Sequence, residues 1–323
     1  MKTILTISAL TLLLSLGFFS LMNTASAQEA RSAEDMDAIV KLDEIVQLSE
    51  HVYRHGQESN VFIVTSEGII VVDGTCTPKG AQWFKEELDR RFGVPVKYVI
   101  LSHDHESHIC DTQVFSDTAM TVAHEKALPH IVREGRNSAV PQLLFDETME
   151  IRLGGVRVVL YYFGSSHSDN LIQVHIPDEG VLTATDVVRA GKGIGLPDYR
   201  DSNVDGLIDV LTSLSQLENV DIEVPGHGPI TDQSSFGYYR TYMIALRDRI
   251  LDALAKDMTI EEILETVTMD DFSDYGNYDQ WLRSNIISMW DNMYRVREPN
   301  ADTKNNYDAQ YPIGFPLGGD GQH

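Results

Sequence analysis

Histidines are concentrated in one short segment, where His103, His105 and His108 lie within six residues directly after an apolar run. The neutral imidazole is a leading zinc ligand, and histidines at i and i+2 on a tight turn can bind one ion while a third turns toward a neighbour. One histidine in such a loop is usually an ordinary hydrogen-bonded residue. Three of them in this arrangement predict a metal site.

Three later segments offer further ligands. His167 lies in a polar, glycine-containing loop, Asp186 ends an apolar strand, and His227 lies on a glycine-flanked turn where the backbone can approach closely. Each alone could be an ordinary turn residue. Together with the histidine segment they predict six metal ligands: His103, His105, His108, His167, Asp186 and His227.

Apolar runs of strand-like composition precede these candidates and alternate with helical patterns. The predicted strands span residues 60–65, 68–74, 96–101, 149–153, 156–163, 171–176 and 180–185. The predicted helices span residues 79–92, 204–217 and 236–255, and Thr259-Ile260-Glu261-Glu262 predicts the capping box of another. Strands mixed with helices along the whole chain indicate an α/β fold in which helices cover the sheet faces.

The first 27 residues have the features of a secretory signal peptide. Lys2 supplies a positive start, an apolar run follows at residues 4–21, and residues 25–27 are small enough for cleavage. A membrane anchor is the competing interpretation, but this run is shorter than the ~20 residues of a spanning helix. We therefore predict a periplasmic or secreted mature chain that begins near Gln28.

Charge limits the partners of the chain. The formal net charge is −24, and it becomes −25 without the signal peptide, because residues 1–27 carry one lysine and no acid. An acidic surface repels phosphate backbones, so we expect a small-molecule substrate, no nucleic acid and no stable membrane insertion. We predict one domain at residues 28–298 and a mobile or loosely docked tail at residues 299–323. The oligomeric state stays open.

The chain has two cysteines, Cys76 and Cys110. This is far from the disulfide density of a small secreted scaffold, so packing must supply most of the stability. The two thiols could pair or stay free, because the sequence does not give the Cα separation that decides pairing. A third possibility is that Cys110 binds metal two residues after His108.

The motifs together resemble the metallo-β-lactamase superfamily from about Val46 to Arg295. The resemblance is carried by Val71-Val72-Asp73-Gly74, H-x-H-x-x-H at 103–108, G-x-x-H at 164–167, Asp186 and Pro225-Gly226-His227-Gly228. It implies an αββα sandwich of two mixed sheets with outer helices and a C-terminal helical extension, with metals at one edge. One zinc ion would be held by His103, His105 and His167. A second would be held by His108, Asp186 and His227, with Asp186 able to bridge both.

One departure from the family concerns catalysis. The usual run is H-x-H-x-D-H, and Ser107 stands where the aspartate is expected. The aspartate binds the second metal and orients the attacking water, so Ser107 is the first catalytic candidate and Glu106 a possible substitute ligand. Asp73, at the end of its strand, is the second catalytic candidate, as a residue that orients a ligand. His124 is predicted to be structural.

Three neutral imidazoles would leave a zinc ion an open position and lower the pKa of a bound water to ~7, which gives hydroxide at ordinary pH. The predicted function is therefore an exported zinc-dependent hydrolase that attacks an ester, lactone, thioester or lactam. One alternative is a mononuclear iron enzyme of the persulfide-dioxygenase kind, which would use His103, His167 and Asp186. Another is a non-catalytic metal-binding relative.

Overall fold

The computed structural model describes residues 44–56, 60–74, 76, 80–189, 191–199 and 202–296, with side chains described through residue 293. The predicted signal peptide and tail lie outside these residues. The first sheet runs in the order β1 to β7, which are Ile45–Gln47, Val52–His55, Asn60–Thr65, Gly68–Val72, Val96–Ile100, Met120–His124 and Leu143–Phe145. The second runs β12-β11-β10-β9-β8, and strands β8 to β12 are Thr148–Leu153, Val156–Tyr161, Gln173–Ile176, Val181–Arg189 and Ile222–His227.

Helices α1 to α7 are Gly80–Phe92, Glu106–Ile109, Ala127–Glu134, Val204–Ser215, Ser234–Leu254, Ile260–Thr266 and Tyr278–Val296. Short 3-10 helices span Thr112–Phe115 and Asp270–Phe272. The predicted capping box is confirmed, because Thr259 and Glu262 exchange side-chain and backbone hydrogen bonds at the start of α6. Within the described ranges, no helix combines the length and the apolar character that crossing a membrane requires.

Both sheets are mixed. Strands β1 to β4 pair antiparallel and β4 to β7 pair parallel. In the second sheet β8 to β11 pair antiparallel, and β11 pairs parallel with β12. A parallel pair needs a crossover, and α1 supplies it between β4 and β5. The predicted α/β fold with two mixed sheets and C-terminal helices is confirmed.

Side-chain alternation sorts the apolar residues into layers. On β3, Val61 and Ile63 point between the two sheets, where they pack with Val158 and Leu160 of β9. The intervening Phe62 points the other way and packs under α1. The outer face of the second sheet packs on α4, α5 and α7. The resulting order is helix, sheet, sheet, helix.

Two differences from the predicted strands concern metal candidates. The strand predicted to end before Asp186 continues to Arg189, with its register shifted between Ala184 and Arg189. The turn predicted to carry His227 is instead the end of β12. Both expectations were wrong for one reason: after the irregularity between Ala184 and Arg189, β11 pairs again with β12 at Arg189 and His227, and a local sequence pattern does not encode this pairing.

Candidate metal centre

The carboxyl end of β5 carries the histidine segment. His103 is fully buried, and the Oγ atom of Ser102 lies 2.9 Å from its Nδ1 atom. This contact fixes the ring and leaves Nε2 facing the site. Among the described residues, Nε2 of His103 has no hydrogen-bond partner. A buried polar atom is rarely left unsatisfied in a native protein, so this nitrogen fits a metal ligand.

Four residues bring one donor atom each to within 4.8 Å of all the others, and we call them the first cluster: His103, His105, His167 and Asp186. The Nδ1 atom of His105 lies 3.1 Å from Nε2 of His167. The Oδ2 atom of Asp186 lies 3.5 Å from that nitrogen and 3.7 Å from Nε2 of His103. Ligands of a tetrahedral ion with bonds of ~2.0–2.1 Å are about 3.3 Å apart, so these separations suit one ion.

A second cluster meets the same 4.8 Å limit and consists of His108, Asp186 and His227. The Oδ2 atom of Asp186 lies 2.9 Å from Nε2 of His108, and its Oδ1 atom lies 3.5 Å from Nε2 of His227. Asp186 is thus common to both clusters. The structure brings together all six residues predicted to bind metal, and their individual assignment to two ions stays a prediction.

The position of Asp186 depends on an unusual backbone. Asp186 has a φ of 53°, in the left-handed region, at the register shift in β11. The neighbouring strand comes so close that a Cβ atom on Gly226 would lie 2.3 Å from Oδ1 and 2.7 Å from the backbone nitrogen of Asp186. Only glycine leaves room for this approach. The glycine of the Pro225-Gly226-His227 motif is therefore part of the site.

An arginine from the other sheet supports the His227 segment. Arg54 on β2 is 5% exposed, and its Nη2 atom donates a 2.8 Å hydrogen bond to the carbonyl of Gly228. Burial lowers the pKa of Arg54, and the attraction of the buried Glu223 opposes that shift. Burial also raises the pKa of Glu223 well above its ordinary value. Sequence analysis missed Arg54, and the sequence shows no local signal for it.

Asp73 connects the end of β4 to both clusters. It is buried with a φ of 62°, and its Oδ1 atom accepts a 2.7 Å hydrogen bond from the backbone of Ser102. Its Oδ2 atom lies 4.0 Å from Nδ1 of His108, beyond hydrogen-bond range. Burial raises the pKa of Asp73 to about 6, against the opposing effects of His108 and Ser102. Asp73 thus orients the segment of His103 through Ser102, and its catalytic role stays a prediction.

The acidic residues around position 107 have other contacts. Ser107 is exposed on α2, and its catalytic role stays a prediction. The Glu106 carboxylate is half-exposed and lies 3.8 Å from Arg136, and neither metal cluster contains it. Asp104 is buried, and it exchanges a backbone and a side-chain hydrogen bond with Asn170. Asn170 therefore ties the His103 segment to the loop of His167, and sequence analysis missed it.

The electrostatics suit a cation. Burial lowers the pKa of His103 well below its ordinary value and lowers that of His105 as well, so both rings are neutral near pH 7. Burial opposes ionisation of Asp186, but the hydrogen bond and charge of His108, with His103 and His167, hold its pKa far below the usual range. Neutral imidazoles around an ionised carboxylate are the protonation states that metal binding requires.

Cys76 and Cys110 form a disulfide with Cα atoms 5.8 Å apart. The possibilities of free thiols and of Cys110 as a metal ligand are therefore wrong, because neither sulfur carries a thiolate. His124 is structural, as predicted. Its Nε2 atom lies 2.7 Å from the carbonyl of Asp146, and its ring stacks on Tyr162 at 3.8 Å.

Known proteins resemble the chain in sequence and in fold. The family model of the metallo-beta-lactamase superfamily matches residues 54–227. A metallo-beta-lactamase type 2 of Bacillus sp. (strain 170) is 23% identical over 234 residues, which cover 68% of this chain and 90% of the relative. The 2,4-dinitroanisole O-demethylase subunit alpha of Nocardioides sp. (strain JS1661) is 28% identical over 137 residues, 41% of this chain and 42% of the relative.

A solved metallo-beta-lactamase from Pontibacter korlensis has a similar fold, with a TM-score of 0.56 at 19% identity. The match covers 62% of this chain and 98% of that one. The family match spans both clusters up to His227, and the fold match agrees with the αββα layers. The chain belongs to the metallo-beta-lactamase superfamily.

Proposed function

We propose that the chain is an exported zinc-dependent hydrolase that cleaves an ester, lactone, thioester or lactam bond of a small molecule. The observation that carries this proposal is the first cluster, in which three imidazoles and one carboxylate converge within 4.8 Å. Catalytic zinc sites have three protein donors and one open position, and we assign His103, His105 and His167 as the three donors. The Oδ2 atom of Asp186 is closer to His108, at 2.9 Å, than to His103 or His167, so we assign Asp186 to the second cluster. Zinc bound there would supply Lewis acidity, since it lowers the pKa of a water molecule and polarises a carbonyl oxygen.

The residues of the site have separate roles in this proposal. His103, His105 and His167 would hold the ion, and the Oγ atom of Ser102, 2.9 Å from Nδ1 of His103, can accept a hydrogen bond from that nitrogen when Nε2 is the ligand atom. The ionised Asp186 balances positive charge at the border of the two clusters. Asp73 orients the segment of His103 through the backbone of Ser102. No serine or cysteine nucleophile is required in this mechanism.

The iron alternative would use His103, His167 and Asp186 as a set of three. His105 disfavours it, because its Nδ1 atom lies 3.1 Å from Nε2 of His167 and adds a fourth donor to the same space. The iron enzymes of this class keep that space open for substrate and oxygen. The arrangement supports zinc over iron.

Two observations support export. The N-terminal residues have the pattern of a signal peptide, and the Cys76–Cys110 disulfide is of a kind that persists in oxidising compartments. A fusion of residues 1–27 to a reporter that is active only outside the cytoplasm tests the prediction. Replacing residues 4–21 by a polar segment should abolish the reporter signal.

Metal analysis and a hydrolysis screen on one preparation test the proposed activity. The protein is made without added metal, its zinc and iron contents are measured, and esters, lactones, thioesters and β-lactams are screened. An aryl methyl ether is included because one relative is named as an O-demethylase. Zinc with turnover of an acyl substrate supports the proposal. Iron in place of zinc, or bound zinc without turnover, contradicts it.

Variants distinguish the loss of a metal ligand from a general loss of stability. His103→Ala should lose both the metal and the activity, because it removes a buried donor of the first cluster. His124→Asn is the matched control: His124 is also buried and ends the neighbouring strand β6, but it lies outside both clusters. Unchanged turnover of His103→Ala would refute the mechanism. Ser107→Asp should bind a second metal ion more tightly, because it adds a carboxylate beside His108.

A further inference from the structure

The helix that carries His108 has little stability of its own. Helix α2 has four residues, Glu106–Ile109, and His105 at its N-cap makes no side-chain capping bond. A single helical turn is unfavourable in isolation, since nucleation fixes several residues for one hydrogen bond. Ile109 is fully buried and anchors one side of the turn. Other contacts must therefore hold the part of the turn that carries His108, whose Nε2 atom lies 2.9 Å from Oδ2 of Asp186.

Those contacts come from the segment after β4. Cys110 directly follows α2 and is bonded to Cys76. The backbone of Gly74 donates a 2.6 Å hydrogen bond to the carbonyl of His108. A Cβ atom on Gly74 would lie 2.1 Å from the carbonyl oxygen of Cys110, so the two segments are in direct contact.

The first cluster is held by different contacts. His103 follows β5, and Ser102 and Asp73 position it. Asp104, next to His105, is bonded to Asn170 through both backbone and side chain. None of these contacts passes through the disulfide. Movement of α2 would consequently displace His108 first. His105 lies at the N-cap of α2, but the neighbouring Asp104 stays bonded to Asn170, and His103 and His167 lie outside the helix.

The lack of a carboxylate at position 107 makes metal binding at the second cluster more dependent on His108. Because Ser107 has no carboxylate, α2 contributes a single histidine to the second cluster, and among the residues that the structure describes the other donors are Asp186 and His227. With three donors, the displacement of one removes a third of the ligands from the protein. A small loss of order in α2 therefore has a large effect on the second ion.

We propose that the Cys76–Cys110 disulfide is a positioning element of the second cluster, so that metal binding there depends on the redox state of the two cysteines. In the oxidised chain the disulfide holds His108 against Asp186. A dithiol reductant breaks the S–S bond between Cys76 and Cys110, and its two protons pass to the two cysteines while its own sulfurs form a disulfide. Reduction releases α2 and weakens the second ion, while the first cluster keeps its ion.

The test compares metal affinities with the disulfide present and absent. Cys76→Ser/Cys110→Ser removes the disulfide without leaving thiols that could bind metal. The metal-free double variant and the oxidised wild type are titrated with zinc against a chromophoric chelator. The second ion should bind about 10-fold to 100-fold more weakly in the double variant, the range seen when residues that orient metal ligands are removed. The first ion should bind with unchanged affinity.

His108→Ala provides the matched control, because it removes the ligand through which the disulfide acts. It should bind one ion, and adding the two serine substitutions should leave that affinity unchanged. If the double variant does not fold, wild-type protein reduced anaerobically and freed of the dithiol supplies the same comparison. A purely structural disulfide would lower the thermal midpoint of the metal-free protein without changing the ratio of the two affinities.

The inference rests on the proposed function only in that both clusters must bind metal. Different results contradict the proposed function and the role of the disulfide. An oxidised wild type that binds no ion contradicts the proposed function itself. An oxidised wild type that binds two ions, with the same two affinities in the double variant, overturns only the role of the disulfide. Equal weakening of both ions also overturns it.

Discussion

Gly226→Ala should lower the affinity of the protein for both metal ions, although it removes no ligand. The added Cβ atom would lie 2.3 Å from Oδ1 and 2.7 Å from the backbone nitrogen of Asp186. The ordinary contact distance is at least 3.4 Å, so the carboxylate and the added methyl group must separate by about 1.1 Å. Metal ligand distances tolerate only about 0.2 Å. The carboxylate therefore has to leave the position that serves both clusters.

The size of the effect follows from two costs. Over-packing at a buried position costs about 1–3 kcal/mol, which should appear in the metal-free protein as a lower free energy of unfolding. We also expect each ion to bind about 10-fold to 100-fold more weakly, comparable to loss of an orienting residue. At saturating metal this loss removes a further ~1.4–2.7 kcal/mol from the stabilisation by each ion.

Urea unfolding with and without zinc measures the two costs separately, and a chelator competition titration gives the affinities. Gly237→Ala is the matched control. Gly237 lies in α5, is exposed, and has no atom within 4 Å of its added Cβ position. This control should gain roughly 0.5–1 kcal/mol from helix propensity and bind metal as the wild type does. Wild-type affinities for both ions in Gly226→Ala would refute the reasoning.

Three further perturbations test other parts of the structure. Arg54→Met should lower the free energy of unfolding by about 1–3 kcal/mol, because it leaves the carbonyl of Gly228 without this donor. Urea unfolding measures the loss. The chelator titration should show a lower affinity for the second ion. The metal-free protein should lose stability as pH falls below the ordinary histidine pKa of 6.5, because burial depresses the pKa of His103 and only the unfolded chain takes up that proton. In His103→Asn the thermal midpoint should therefore fall less steeply as the pH is lowered. Equal slopes in the variant and the wild type would contradict this cause. Thr259→Ala should cost about 1 kcal/mol in urea unfolding by removing the capping box of α6, with metal affinities unchanged.

The sequence predicts most of the first cluster because its signals are local. His103 and His105 are two residues apart after an apolar strand, and His167 lies in a short glycine-containing loop. The strand and helix patterns also predict the layered α/β fold, since periods of two and 3.6 residues mark which faces are buried. The structure agrees with the fold and brings these three histidines together.

The supports of the site could not be predicted, because they join distant parts of the chain. The bond from Arg54 to Gly228 spans 174 residues, and the disulfide spans 34. The left-handed backbone of Asp186 depends on the register of β11 against β12, which a single strand pattern does not encode. For the same reason the sequence placed a strand end at Asp186 where the structure has a register shift.

The two clusters therefore differ in which mutations, and which changes of redox state, alter their affinity for metal. The segments of His103, His105 and His167 are held by Asp73 and by the bonds between Asp104 and Asn170, none of which passes through the disulfide. His108 is held by Gly74 and by the disulfide that follows α2. Asp186 belongs to both clusters, so a change at Gly226 must act on two ions, but a change at the disulfide acts through His108 on one. Affinities for two ions, measured on these two variants, consequently distinguish a shared carboxylate from two independent sites. Independent sites would require that Gly226→Ala weaken a single ion.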